Sequence, residues 1–281
     1  MTVRVVTDSA SDLPESLAAE LGIEIVPLTI RFGDEELVDR RDFTPSEFWA
    51  RCHASPVLPQ TAAPPPGAYE ERYRSLAADG ATSIVVVALS AALSATMQSA
   101  QVAAAAVTET IPVTVVDSRS VTLGLGMIAV GAARLAAGGG PPEDVAGLAR
   151  SLAGRTHVVG TLDTLENLKK GGRIGGAKAL LASVLSIKPV IEVQDGRVEE
   201  AGRQRTRAKA FTFLADTVRR AEPVDTLAVA HGDAADVDRF LDLLRPIHAG
   251  EIVVGQIGAV IGTHAGPGTI GVVYQTPVRV G

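Results

Sequence analysis

The sequence predicts an α/β protein of two domains, the first on a parallel sheet in an α/β/α arrangement, the second on a mixed sheet. Three observations predict it. The chain has 281 residues, close to two domains at ~150 residues each, and a sizeable core fits within that length. Short β-branched runs alternate with helix-like segments through the first half, as in a parallel sheet covered on both faces. In the second half an Asp195-Gly196 hairpin signal joins the crossovers, which makes that sheet mixed. The boundary is placed between 1–152 and 153–281. Hydrophobic residues make up 46% and charged residues 21%, the balance of a folded chain rather than a disordered one.

The elements follow in order. Val3–Val6 reads as a strand running into Thr7-Asp8-Ser9. Asp12-Leu13-Pro14-Glu15 opens a helix to Leu21, and Gly22 stops it. Ile23–Ile30 reads as one strand. Thr44-Pro45-Ser46-Glu47 combines a capping box with proline at the first helical position. Leu58 to Gly67 is a proline-rich loop. Ile84–Leu89 is a strand that stops at Ser90, and Ser94 caps an alanine-rich helix to Val107. Val113–Val116 is a strand ending in Asp117-Ser118, followed by a helix from Leu123 to Ala136. Gly138-Gly-Gly-Pro-Pro142 is the best linker candidate. Beyond it come a helix over Glu143–Ala153 and a strand at Val158-Val159. Asp163-x-x-Glu166 caps a short helix ending at Gly171. A helix over Ala177–Ser186 precedes the Lys188–Val193 and Arg197–Glu200 hairpin. Helices at Thr206–Arg220 and Asp236–Leu244 and strands at Leu227–Ala230, Ile252–Val254 and Gly271–Tyr274 complete the chain.

Composition excludes several function classes. Basic residues number 26 against 32 acidic, for a net charge of −6, so no basic field recruits nucleic acid or an anionic membrane. The single cysteine, Cys52, excludes an internal disulfide and a cysteine-based zinc site. The uncharged stretch between Asp79 and Glu109 is interrupted by serines and glutamines. It reads as a buried strand and helix, not as a membrane span. With no signal-peptide pattern at the start, the expectation is a soluble, cytoplasmic protein without stable membrane insertion.

Motifs for nucleotide chemistry fail in context. Gly266-Pro-Gly-Thr-Ile-Gly271 fits G-x-G-x-x-G, but it precedes a strand and ten final residues rather than a helix and a downstream acid. It reads as a tight glycine turn. Gly171-Gly-Arg-Ile-Gly-Gly176-Ala-Lys178 is out of register for a P-loop. It leaves a basic loop with Lys169, Lys170, Arg173 and Lys178, suited to a partner's acidic surface or a phosphate. No G-x-S-x-G elbow occurs, and the five histidines lack metal-ligand spacing.

Ligands of parallel sheets sit at the carboxyl ends of the strands, which carry Asp8, Ser9, Ser90, Asp117 and Ser118. These residues equally serve as helix caps. A small-molecule hydrolase or phosphotransfer subunit built on a Ser/His/Asp cluster, with a histidine such as His264, is the alternative reading, because triads assemble in space rather than in sequence. The segment Ser90-Ala-Ala-Leu-Ser94-Ala-Thr96-Met-Gln-Ser99 is dense in hydroxyls after a buried strand. Free N–H groups at a helix start, supplemented by such donors, suit a carboxylate beside apolar surface.

Seven segments together carry a family resemblance. They are Val5-Val-Thr-Asp8-Ser9 with Asp12-Leu13-Pro14, Thr61-Ala-Ala-Pro-Pro-Pro-Gly67, Leu89-Ser90 to Ser99-Ala100, and Val116-Asp117-Ser118. Leu168-Lys-Lys-Gly-Gly-Arg173-Ile174, Ile187-Lys188-Pro189 and His264-Ala-Gly-Pro-Gly268 complete the set. In order and spacing the chain resembles the DegV family of bacterial fatty-acid-binding proteins. The resemblance implies a two-domain DegV-like fold holding one long-chain fatty acid between its domains, as ligand and not cofactor. It implies that Thr61 and a serine of the Ser90–Thr96 segment bind the carboxylate. Ser94 is favoured, with Ser90 and Thr96 as the other hydroxyls, and His264 supports the network. It further implies that Arg173 and Arg205 face a separate fatty-acid kinase, which phosphorylates the carboxylate to an acyl phosphate for phospholipid synthesis. The chain itself then has no turnover. Ala62, Ala63 and Ala91 stand where the family has Ser, Gln and Ser, and Met97 where it has Tyr, which predicts a leaner head-group site. Physically, a tail of ~15 methylenes at ~0.8 kcal/mol each gains ~12 kcal/mol before ordering costs, while its carboxylate requires protein donors.

Overall fold

The computed structural model describes residues 2–55, 57–182 and 187–278. The first half contains β1 (Val3–Asp8), α1 (Glu15–Glu20), β2 (Glu24–Val26), β3 (Thr29–Phe32), β4 (Glu35–Val38), α2 (Pro45–Ala54), β5 (Gln60–Ala62), α3 (Pro66–Ala78), β6 (Ser83–Ala88), α4 (Thr96–Ala106), β7 (Val113–Asp117), α5 (Thr122–Ala137) and α6 (Pro142–Ala153). Strands β2-β1-β6-β7 form a sheet with every pair parallel. Central β6 is buried at every residue, which explains its unbroken apolar run.

The second half contains β8 (Thr156–Thr161), α7 (Glu166–Lys170), a 3-10 stretch (Gly175–Ala182), β9 (Lys188–Gln194), β10 (Arg197–Gln204), α8 (Arg207–Ala221), β11 (Thr226–His231), α9 (Val237–Leu244), β12 (Ile252–Gln256), α10 (Ala259–Ala265) and β13 (Ile270–Gln275). Its sheet runs β10-β9-β8-β13-β11-β12. Only β11 and β12 pair in parallel, so the sheet is mixed. Asp195 and Gly196 both take positive φ at the tip of the β9–β10 hairpin, the geometry a two-residue turn demands.

Several elements differ from the sequence reading. Ile23–Ile30 is two strands, because Pro27 lies between them and has no N–H for a ladder. Strand β2 ends on the parallel sheet, and β3 enters a small antiparallel sheet of order β4-β3-β5. The proline-rich loop contains β5, where Thr61 pairs with Ile30. Helix α3 was not expected, although buried Tyr69, Tyr73 and Leu76 follow helical spacing. Helix α10 was also unexpected, being seven residues of mostly small side chains. Residues 175–182 are 3-10 rather than α-helical, and the rest of the expected Ala177–Ser186 helix, 183–186, lies outside the described residues. The glycine run at 138–140 turns α5 back onto α6, so it joins two packed helices. Ser94 is not the cap of α4; Ala95 holds that position. Thr164, not Asp163, accepts the Glu166 N–H before α7, because Asp163 is paired with Lys188.

Helix α5 joins the halves. Eleven of its sixteen residues are buried, and it packs on β1 and β6 on one side and β8, β11 and β13 on the other. One apolar cluster runs from Val5 and Val85 through Ile128 and Val130 to Val158 and Val273. The opposite face of the six-stranded sheet is covered by Phe211, Leu214 and Phe240 of α8 and α9. Two glycines permit the close approach. A Cβ at Gly124 would fall on the Val158 side chain and the Ser120 hydroxyl, and one at Gly126 would fall 2.8 Å from the Ser11 carbonyl oxygen. Gly124→Ala is therefore expected to lower urea-unfolding stability by about 1–3 kcal/mol through overpacking. Gly147→Ala, at an exposed position of α6 with open space around it, is expected to be neutral or stabilising by up to about 1 kcal/mol in the same titration.

Candidate functional site

A cavity of about 210 Å³ lies between the two sheets, walled by both halves. The first half contributes Leu89, Leu93 and Val121; the second contributes Val158, Ile191 and Val198. Period-two alternation explains the second wall. Val158 and Gly160 of β8 face the cavity, while Val159 packs into the core beneath α8. Gly160 lies opposite Gly271, which in turn lies opposite Ala230. All three line the cavity, so the sheet offers a trough of small residues there.

Polar groups gather at one end. Thr61 comes from β5, Ser94 from the turn before α4, Arg173 from the loop after α7, and His264 from the last turn of α10; all four line the cavity. Thr61 Oγ1 lies 3.1 Å from His264 Nε2. A second, more polar cavity of about 330 Å³ shares Thr61, Arg173 and His264 and adds Asn167 and Lys170. Burial, followed by the Arg173 charge, pushes the His264 pKa down to about 4, so the ring is neutral near pH 7. Its Nδ1 is buried without a hydrogen-bond partner. The ring packs on Gly171, where any Cβ would collide with Nδ1. Arg173 is exposed, yet its Nε donates to the Leu93 carbonyl at 3.1 Å and its Nη1 to the Gly171 carbonyl at 2.8 Å.

The other sequence-derived residues take different places. Ser94 Oγ accepts the Thr96 N–H at 3.2 Å and bonds the Thr96 hydroxyl at 2.8 Å. Thr96 is fully buried behind it and off the cavity wall. Ser90 is also off the wall: its hydroxyl donates to the Gly196 carbonyl at 2.7 Å, tying the β9–β10 tip to the first half. Arg119 and Asp195 form an ion pair beside it. Arg205 is exposed between β10 and α8 and lines neither cavity. Thr122 and Lys170 line cavities without having been singled out as ligand residues. Thr122 gave only a hydroxyl four residues past Ser118 as signal, and Lys170 only a basic run.

The acids at the strand ends are engaged by backbone. Asp8 accepts the Ala10 N–H at 3.1 Å and the Leu89 N–H at 2.7 Å. Burial pushes its pKa up to about 7. Asp117 accepts the Ala91 and Arg119 N–H groups. No carboxylate meets His264 Nδ1, so these residues do not form a Ser/His/Asp relay. Among the described residues, no three His, Cys, Asp or Glu side chains are grouped to hold a metal, and no helix is long and apolar enough to cross a membrane.

Comparison with known proteins agrees with this architecture. The family model described as "Uncharacterised protein, DegV family" matches residues 2–276. A DegV domain-containing protein of Streptomyces coelicolor is 39% identical over 282 residues, covering 98% of both chains. A fatty-acid-binding DegV family protein from Thermus thermophilus superposes with a TM-score of 0.88 at 34% identity, over 99% of this chain and 100% of that one. A stearic-acid-binding protein from Eubacterium ventriosum superposes with a TM-score of 0.89 at 25% identity, over 97% and 98%. The parallel and mixed sheets, the cavity between them and the match over nearly the whole length lead to one conclusion: this chain belongs to the DegV family.

Proposed function

We propose that this protein binds one long-chain fatty acid, with the tail in the apolar cavity and the carboxylate at Thr61, Ser94 and His264. The observation that carries the reading is the cavity itself, lined mainly by apolar side chains of both halves, with the bonded Thr61 and His264 on its wall. Relatives described as fatty-acid- and stearic-acid-binding proteins share the fold. This chain then presents the carboxylate to a separate fatty-acid kinase, which forms an acyl phosphate for phospholipid synthesis in the cytoplasm. Exposed Arg173 and Arg205 are the residues assigned to that partner. Catalysis resides in the kinase, and this chain requires no cofactor for carriage.

The imidazole tautomer decides whether Thr61 can serve. With its proton on Nε2, the ring donates to Thr61 Oγ1. The Thr61 hydroxyl proton is then free for a carboxylate oxygen. The opposite tautomer would take that proton and turn only lone pairs toward the ligand. The free N–H groups at the start of α4, beside Ser94, supply further donors. Arg173 adds a cation at the rim, so the anion is held by neutral groups within reach of a positive charge. Ser90 is a poor ligand in this reading, because its proton is already given to Gly196.

Thr61→Val and His264→Gln are each expected to weaken oleate binding, measured calorimetrically on delipidated protein, by about 1–3 kcal/mol through loss of a donor to a buried carboxylate. Arg173→Ala is expected to retain oleate while slowing acyl-phosphate formation by an added fatty-acid kinase; loss of oleate instead would place Arg173 in the head-group site. Nitrogen NMR is expected to find His264 neutral and Nε2-protonated at pH values where free histidine is charged. Because its folded pKa of about 4 lies below the ordinary 6.5, its stability contribution is complete above 6.5 and is lost as pH falls toward 4. Thermal melts of His264→Gln are expected to lose that share of the acid-side decline.

A further inference from the structure

The hydrogen bond between Thr61 and His264, at 3.1 Å, joins the two halves of the chain. Beyond about 3.5 Å such a contact is no longer a hydrogen bond, so a slip of α10 by about 0.5 Å would break it. Helix α10 is short, but its own ladder stiffens it. The Gly262 N–H donates to the Gly258 carbonyl and the Gly266 N–H to the Gly262 carbonyl, both at 2.8 Å. Where the helix begins therefore decides where His264 lies. One peptide group holds that beginning. Its carbonyl, on Ile257, accepts the Trp49 indole N–H at 2.9 Å, and its N–H, on Gly258, donates to Asp12 Oδ1 at 2.8 Å. Both grips come from the first half and both are buried. The Trp49 ring also presses on the helix at Gly262, where a Cβ would fall 2.8 Å from it.

Asp12 lines neither cavity, and neither do Asp8 and Ser9. Yet each of these three side chains bonds a segment that carries a head-group residue. Asp8 accepts the Leu89 N–H at 2.7 Å, at the start of the segment bearing Ser94. Ser9 Oγ accepts the Leu28 N–H at 3.0 Å, beside β3, whose Ile30 pairs with Thr61. Asp12 holds the third segment and, of the three, is the one that reaches into the second half. The turn after β1 is thus the common footing of Thr61, Ser94 and His264. Resting on the fatty-acid reading above, we infer that Asp12 is a positioning residue for carboxylate binding, acting through Gly258 and α10 to hold His264 against Thr61. Burial, and to a smaller extent the Asp39 charge, pushes the Asp12 pKa up to about 7 against the Thr122 hydroxyl, the Gly258 N–H and the Arg40 charge. Protonated or not, the group keeps an oxygen that accepts the Gly258 N–H, and an amide of the same shape offers one too.

The test uses two substitutions at Asp12, which has a positive φ of 50°. Asp12→Asn suits that conformation and keeps an acceptor for Gly258. Asp12→Gly suits it too and removes the acceptor. Delipidated wild type and both variants are titrated with oleate well below their thermal midpoints, and the His264 ring nitrogens are read by NMR before lipid is added. Asp12→Gly is expected to bind oleate about tenfold more weakly, the size of one lost hydrogen bond, and to move the His264 Nε2 resonance. Asp12→Asn is expected to match wild type in both readings. Unchanged oleate affinity in Asp12→Gly, an unmoved His264 resonance, or an equal loss of binding in Asp12→Asn overturns the positioning role. Should Asp12→Gly fail to fold, Asp12→Ser, with a side chain too short to reach Gly258 in the same way, is read in its place. If neither folds while Asp12→Asn does, Asp12 is structural and the inference is overturned. Failure of wild type to bind oleate overturns the fatty-acid reading instead, and the lipid-free His264 signal still decides whether Asp12 sets that ring.

Discussion

The whole arrangement depends on a helix buried over eleven of its sixteen residues. Because α5 is apolar on nearly every side, it cannot sit on one sheet with its back to solvent; it needs apolar cover on both faces. The parallel sheet supplies one face and the mixed sheet the other. Glycines on the helix let strand β8 and the Ser9–Ser11 turn press against its backbone. The cavity begins where this packing stops, at Val121 and Thr122. The two sheets are thus fixed relative to one another by the same element whose N-terminal end opens onto the cavity.

Burial governs the charges around that space. A histidine in a wet cleft titrates near neutrality and serves as acid and base. Here desolvation and a neighbouring guanidinium hold His264 neutral, which suits hydrogen-bond relay better than proton transfer. Burial acts on Asp8 and Asp12 in the opposite direction, favouring the protonated form up to about pH 7. Asp8 is tied by backbone donors to the end of β6, and Asp12 is tied to the start of α10. The acids therefore shape the walls on which the neutral donors stand.

Much of this was legible in the amino-acid order. The β-branched runs gave the parallel strands, the Asp195-Gly196 turn gave the hairpin, and the Thr44 capping box is present as read, with both reciprocal hydrogen bonds. Short segments with weak local signals were not legible. Pro27 splits a continuous apolar run between two sheets, a tertiary choice that periodicity does not encode. Helix α10 is too short and too rich in small residues to stand out, yet it carries His264. Hydroxyl-rich sequence indicated a polar site after β6, but only the fold separates Ser94, on the cavity wall, from Ser90, spent on the hairpin tip.

The guanidinium of Arg173 belongs to two environments at once. It is exposed, but one of its bonds ends on the carbonyl of Leu93, a residue of the cavity wall. It also biases the ring that partners Thr61. Any shift of that wall on filling is one hydrogen bond from the surface, so loaded and empty forms need not look alike from outside. On the fatty-acid reading proposed above, this one side chain would carry the state of the interior to the outer surface.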